Sequence, residues 1–162
     1  RFTYQPSLGN AQNRRTIYAF WRRTSAPTFL FDSAMRRTCE VVVRRTNTPL
    51  QALALLNDTT ALEAARNLAD LAVAAHPDIT RLQIQFLCER VLGRIPTPEE
   101  SSIFLREHQR ALEYYEQQPD EAARFTQVGQ LVSAGKVVDA QTASAMLIAN
   151  LIFNLDEAIT HE

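Results

Sequence analysis

The chain has 162 residues, 46% of them hydrophobic and 22% charged, with a formal net charge of −1. A chain of this length buries roughly 68–70% of the surface it exposes when unfolded, enough for a real core, and none of its apolar runs approaches the roughly 18 residues of a membrane helix. The near-neutral total conceals a segregation: residues 1–50 carry nine arginines against Asp32 and Glu40, a net of +7, whereas residues 51–162 carry eight basic and sixteen acidic side chains, a net of −8.

Residues 1–13, with Pro6, Ser7, Gly9 and several amides, show no periodicity and are expected to form an irregular entry segment. The chain opens on Arg1 without a methionine or a secretory signal, so it reads as part of something longer. Thr16 to Trp21 and Val41 to Val43 are rich in β-branched and aromatic residues, which predicts a small two-stranded β element. Ser25-Ala26-Pro27 and Phe31-Asp32-Ser33 supply turns between them.

From Thr48 onward the pattern is helical. Thr48 is a natural N-cap, and Pro49 stands at the first helical position, where its missing N–H costs nothing. The helix should reach Leu56, after which Asp58 caps a second helix, Thr59 to Ala75, facing the core with Leu62, Ala65, Leu68, Ala69 and Ala72. His76-Pro77 ends it. Asp78 should cap a third helix carrying Ile79, Leu82, Phe86 and Leu87 inward until Gly93 stops it.

Thr97-Pro98-Glu99-Glu100 is a capping box, opening a helix to about Gln117 with an apolar face of Ile103, Phe104, Ala111, Leu112 and Tyr115. Pro119-Asp120-Glu121 opens a short helix, with acid in its first turn to suit the helix dipole. Gly129 and Gly135 bracket a looser stretch. A last helix, Ala140 to Phe153, is apolar enough to be buried, with Ala143, Met146, Leu147, Asn150, Leu151 and Phe153 predicted to face inward. The expected architecture is therefore mainly α: one compact multi-helix domain over residues 14–162, with the small β element near its N-terminal end.

Arg14-Arg15-Thr16-Ile17-Tyr18, the run from Arg44 to Asp58, Leu92-Gly93-Arg94-Ile95-Pro96-Thr97-Pro98-Glu99-Glu100 and Asn154-Leu155-Asp156-Glu157 together resemble the C-terminal domain of a large planctomycete and verrucomicrobial family of unknown function. The resemblance runs over about residues 14–162. It implies a domain joined in one polypeptide to upstream domains that include a c-type cytochrome, and an extracytoplasmic location, periplasmic or secreted. It implies no established activity. The chain departs from the family pattern at Ser33, Ala34, Met35, Arg37, Val42, Val43 and Ala158.

Cys39 and Cys88 stand in neither a C-x-x-C nor a C-x-x-C-H setting, so any c-type haem belongs elsewhere in a longer polypeptide. They read as buried thiols, and the resemblance to an exported family admits a disulfide between them. The pairs Arg22-Arg23 and Arg36-Arg37, with Trp21, are candidate contacts for a polyanion such as an acidic polysaccharide. Nucleic acid is not expected, because no recognition motif accompanies them. Arg14, Arg15, Arg44, Arg45, Asn47, Gln51, Asp156 and Glu157 form either an internal ion-pair cluster or a ligand-orienting set, with Asp156 or Glu157 expected to hold an N-terminal arginine. His76, His108 and His161 are isolated, so no metal site is expected, and no serine or threonine has a histidine partner in its sequence context. With no catalytic array in sight, the reading is a non-catalytic structural or interaction domain. The alternatives are a polysaccharide-binding module, or part of an enzyme completed by upstream residues.

Overall fold

The structure is a computed structural model and describes residues 48–77, 80–129 and 139–159. All of these fall in the second of the two units into which the chain divides, Asn47–Glu162. The described residues form seven helices: α1 (Pro49–Asn57), α2 (Thr59–Ala75), α3 (Thr80–Leu92), α4 (Pro98–Gln117), α5 (Pro119–Thr126), α6 (Ala140–Phe153) and α7 (Asp156–Ile159). Among them there is no strand. The segments expected to be irregular (1–13) and β (16–21 and 41–43) lie outside the described residues, as do Asp78 and Ile79 of the expected start of α3.

Local chemistry sets the helix ends. Asp58 closes α1, its N–H donating 2.7 Å to Ala54 O. The same residue opens α2, its Oδ1 accepting from Thr60 N at 3.0 Å and Ala61 N at 3.1 Å. One residue thus satisfies orphan groups of two helices. Gly93 ends α3 with φ +71, the left-handed conformation that costs glycine no Cβ clash. Asp139 caps α6 by accepting from Thr142 N at 2.7 Å.

α6 is the axis of the fold. It packs against α2, α3, α4 and α5 and touches α1 and α7, and eight of its fourteen residues are buried. Ala65, Ala69 and Ala72 of α2 share one core with Ala145 and Ala149 of α6, and such small side chains let two backbones approach closely. Leu62, Ile84, Leu87, Cys88, Phe104, Met146, Ile148 and Ile152 complete that core. A smaller cluster of Ala111, Tyr115, Ala122 and Ala143 joins α4, α5 and α6.

Three expected faces are corrected. α3 buries Gln83, Ile84, Leu87 and Cys88, while Leu82 and Phe86 are half-buried. The Gln83 amide donates 2.7 Å to His76 O, and this bond to the end of α2 helps to set the rotation of α3. α4 buries Phe104, His108, Ala111 and Tyr115, leaving Ile103 47% exposed. His108, one turn after Phe104, continues the Phe104–Ala111–Tyr115 stripe as a polar residue. α6 buries Ser144, Ala145, Ile148, Ala149 and Ile152 in addition to the expected Ala143, Met146 and Asn150, while Leu147, Leu151 and Phe153 are half-buried, because a helix surrounded by neighbours has no outer face to reserve for polar groups.

Gly129 adopts φ +101, and the side chain of Glu63 fills the space a Cβ would take there. The buried Asn150 amide donates 3.2 Å to Leu56 O, joining α6 to the end of α1.

Candidate functional site

The densest polar constellation among the described residues is built on Arg94, which follows the helix-ending Gly93. Its guanidinium makes two forked contacts. Nη1 and Nη2 each donate 2.8 Å to the Glu100 carboxylate. Nε donates to Glu157 Oε1 at 2.8 Å and Oε2 at 3.1 Å, and Nη2 donates to Oε2 at 2.6 Å. Forked pairing of this kind fixes orientation as well as charge. The α3–α4 loop, the first turn of α4 and α7 are joined through a single side chain.

Glu100 also completes the capping box: its Oε2 accepts from Thr97 N at 2.8 Å, and its own N–H donates to Thr97 Oγ1 at 3.2 Å. Arg94 first, and the Thr97 N–H after it, hold the Glu100 carboxyl down to about 2. Arg94 also lowers Glu157. Two carboxylates locked as acceptors on one guanidinium are poor proton donors near neutrality, so this pair lacks the raised member a general acid needs.

Glu157 takes Arg94, in the middle of the sequence; the N-terminal arginines expected to pair with Asp156 or Glu157 lie outside the described residues. Arg94 and Glu100 already stand together in the Leu92-to-Glu100 motif, and the i, i+6 spacing across a loop and cap was the signal available.

Gln51 is 5% exposed, and its Oε1 accepts from Thr48 N at 2.6 Å while its own N–H donates to Thr48 Oγ1 at 3.3 Å. Thr48-Pro49-Leu50-Gln51 is thus a second capping box, the counterpart of Thr97-Pro98-Glu99-Glu100, and the Gln51 amide oxygen serves the helix start. Asp156 opens α7. Arg14, Arg15, Trp21, Arg22, Arg23, Arg36, Arg37, Cys39, Arg44, Arg45 and Asn47 lie outside the described residues. Cys88 is a free, fully buried thiol, pushed up to about 11 mainly by burial. A thiol so protonated is a poor nucleophile.

His108 is not the surface histidine its flanking residues suggest. It is 3% exposed, Ser144 is fully buried, and Ser144 Oγ lies 3.0 Å from His108 Nε2. Gln141 O, 2.9 Å away, is a second acceptor for the serine proton; with the proton there the hydroxyl accepts from Nε2–H, the reverse of an activated serine, in which imidazole takes the serine proton. Burial lowers the His108 pKa and keeps the ring neutral. The pair is a polar joint between α4 and α6.

At the far end of α4, Tyr114, Tyr115, Glu121, Arg124 and Phe125 line an open groove of about 340 Å³. Tyr115 and Phe125 stack at 5.9 Å between centroids, and Tyr114 meets Tyr115 edge-on at 5.4 Å. Arg124 Nη1 donates 2.9 Å to Glu121 Oε1 across an exposed pair. Among the described residues no group of three or more His, Cys, Asp or Glu side chains is placed to hold a metal ion, and no helix is long and apolar enough to cross a membrane.

No curated protein and no solved structure matches the chain. A family model does match, over residues 1–107, a stretch that takes in α1, α2, α3, the Arg94–Glu100 contact and the first half of α4, and that stops short of α6 and Glu157. Since that stretch is well over half of the 162 residues, the chain belongs to the PSD1 family, proteins of unknown function designated DUF1553.

Proposed function

We propose that the chain is a structural and interaction domain, without a reaction of its own, within a larger exported protein that also carries c-type cytochrome domains. The observation behind this reading is the closure of its polar motifs on themselves. Arg94 is taken by Glu100 and Glu157, Thr48 and Thr97 by their own helix starts, and His108 by Ser144. Side chains whose hydrogen bonds are spent internally specify a fold and leave little to act on a substrate. The export and the cytochrome linkage rest on the sequence resemblance, and upstream domains of the same polypeptide are the partners it implies.

A second reading is favoured by the charge segregation. Nine arginines in residues 1–50 against two acids, with Trp21 among them, suit an anionic polysaccharide. A salt gradient on an immobilised sulfated polysaccharide decides between the two. The scaffold reading expects both the native chain and an Arg22→Gln plus Arg23→Gln variant to elute in the wash. Retention of the native chain near physiological salt, lost in the variant, would replace it with the binding module.

A further inference from the structure

We propose that the groove between the end of α4 and α5 is a recognition site for an arginine side chain of a basic peptide segment. The floor is aromatic: Tyr115 and Phe125 stack with an interplanar angle of 12°, and Tyr114 stands beside them 54% exposed. Ring faces carry partial negative charge and attract a guanidinium. The surrounding field has the same sign. Glu113, Glu116 and Asp120 are exposed and Glu121 is half-buried, and Arg124 is the one basic residue between 113 and 125. The C-terminal end of the α4 dipole adds to that negative potential.

Glu121 is the charged anchor. Its carboxylate raises the Tyr115 phenol pKa, after burial and Tyr114, so its charge is felt at the aromatic wall. It already holds a guanidinium, that of Arg124, at 2.9 Å. Arg124 is the weaker tenant: its side chain is 77% exposed, and no cation–π contact ties it to the rings. An exposed i, i+3 pair contributes little, so an incoming arginine that also stacks on Tyr114 displaces it. An acidic ligand meets four carboxylates at this surface. The groove is independent of the scaffold reading, because none of its residues belongs to the Arg94 cluster or to either capping box.

The test uses a blocked tri-arginine peptide and its tri-citrulline counterpart, which keeps the shape and loses the charge. Titration of the full chain is followed by the aromatic NMR signals of Tyr114 and Phe125. The expected result is a saturable shift with arginine, about threefold or more weaker with citrulline, and reduced by Tyr114→Ala and by Glu121→Gln. Arg124→Gln is the decisive variant: it frees Glu121, so arginine binding tightens. Weaker binding in Arg124→Gln would mean that the groove takes an anion or a sugar diol and would overturn the proposal. Equal binding of the two peptides, or no saturation, would do the same. Thermal melts of the exposed-site variants separate these results from loss of fold.

Discussion

Removing the hydroxyl of Ser144 by Ser144→Ala tests the polar joint at the centre of the bundle. Ser144 Oγ pairs with His108 Nε2 at 3.0 Å, and the two residues are 0% and 3% exposed. Without it a buried ring nitrogen has no hydrogen-bond partner, which costs about 1–3 kcal/mol. For a chain of this size that corresponds to a fall in Tm of about 2–12 °C. The loss should appear in thermal and denaturant unfolding alike, with the denaturant slope unchanged. The histidine adds a pH signature. Burial places its folded pKa below the ordinary 6.5, so its contribution is fully present above that value. It is lost as pH falls from there toward the folded pKa, by at most about 1.4 kcal/mol per pH unit. His108→Leu should flatten this part of the stability profile, whereas Ser144→Ala, which keeps the imidazole buried, should retain it. A Ser144→Ala protein melting within about 1 °C of the parent, or an acid slope indifferent to His108→Leu, would refute the reasoning.

Arg94→Gln should lower stability at neutral pH and let the Glu100 carboxyl rise from about 2 toward its ordinary 4.5, read by NMR titration. Because both glutamates are depressed, the cluster stabilises fully above about pH 4.5 and loses its effect as pH falls below it. An unshifted Glu100 titration would contradict the forked geometry. Gly129→Ala forces a left-handed conformation on a residue with a Cβ, at about 1–2 kcal/mol, and displaces Glu63 as well. An unchanged Tm would show that this backbone turn is not required. Cys88, buried and raised to about 11, should resist a thiol reagent at pH 8 in the native protein and react at once in denaturant. Fast native labelling of Cys88, identified by mass spectrometry, would show that the α3–α6 core opens.

The helix ends were legible in the sequence because caps are local chemistry. Thr48, Asp58 and Thr97 act through bonds to residues two or three positions away, and proline and glycine act through their own φ. The faces of α3, α4 and α6 were harder, since the side that turns inward depends on neighbours distant in the sequence. Gln83 and His108 are polar residues that an apolar count discards, yet each is buried by a bond to another helix. α6 is so uniformly apolar that no face stands out in its periodicity. The Arg94 cluster was legible in its parts: all three residues sit in the motifs that carry the family resemblance. Their meeting depends on where α7 lies against α3, which no local pattern encodes.

The position of α6 also bears on the order of assembly during synthesis. The helix that fills the core follows α1 to α5 along the chain, so α2, α4 and α5 leave the ribosome before their principal partner exists. α2, with its row of core alanines, has α3 to pack on in the meantime, while the greater part of its buried face waits for residues 140–153. Contacts this distant in sequence are the slow ones to form. The nascent domain therefore passes through an interval in which apolar surface of α2, α4 and α5 is uncovered, until residues 140–153 emerge to cover it.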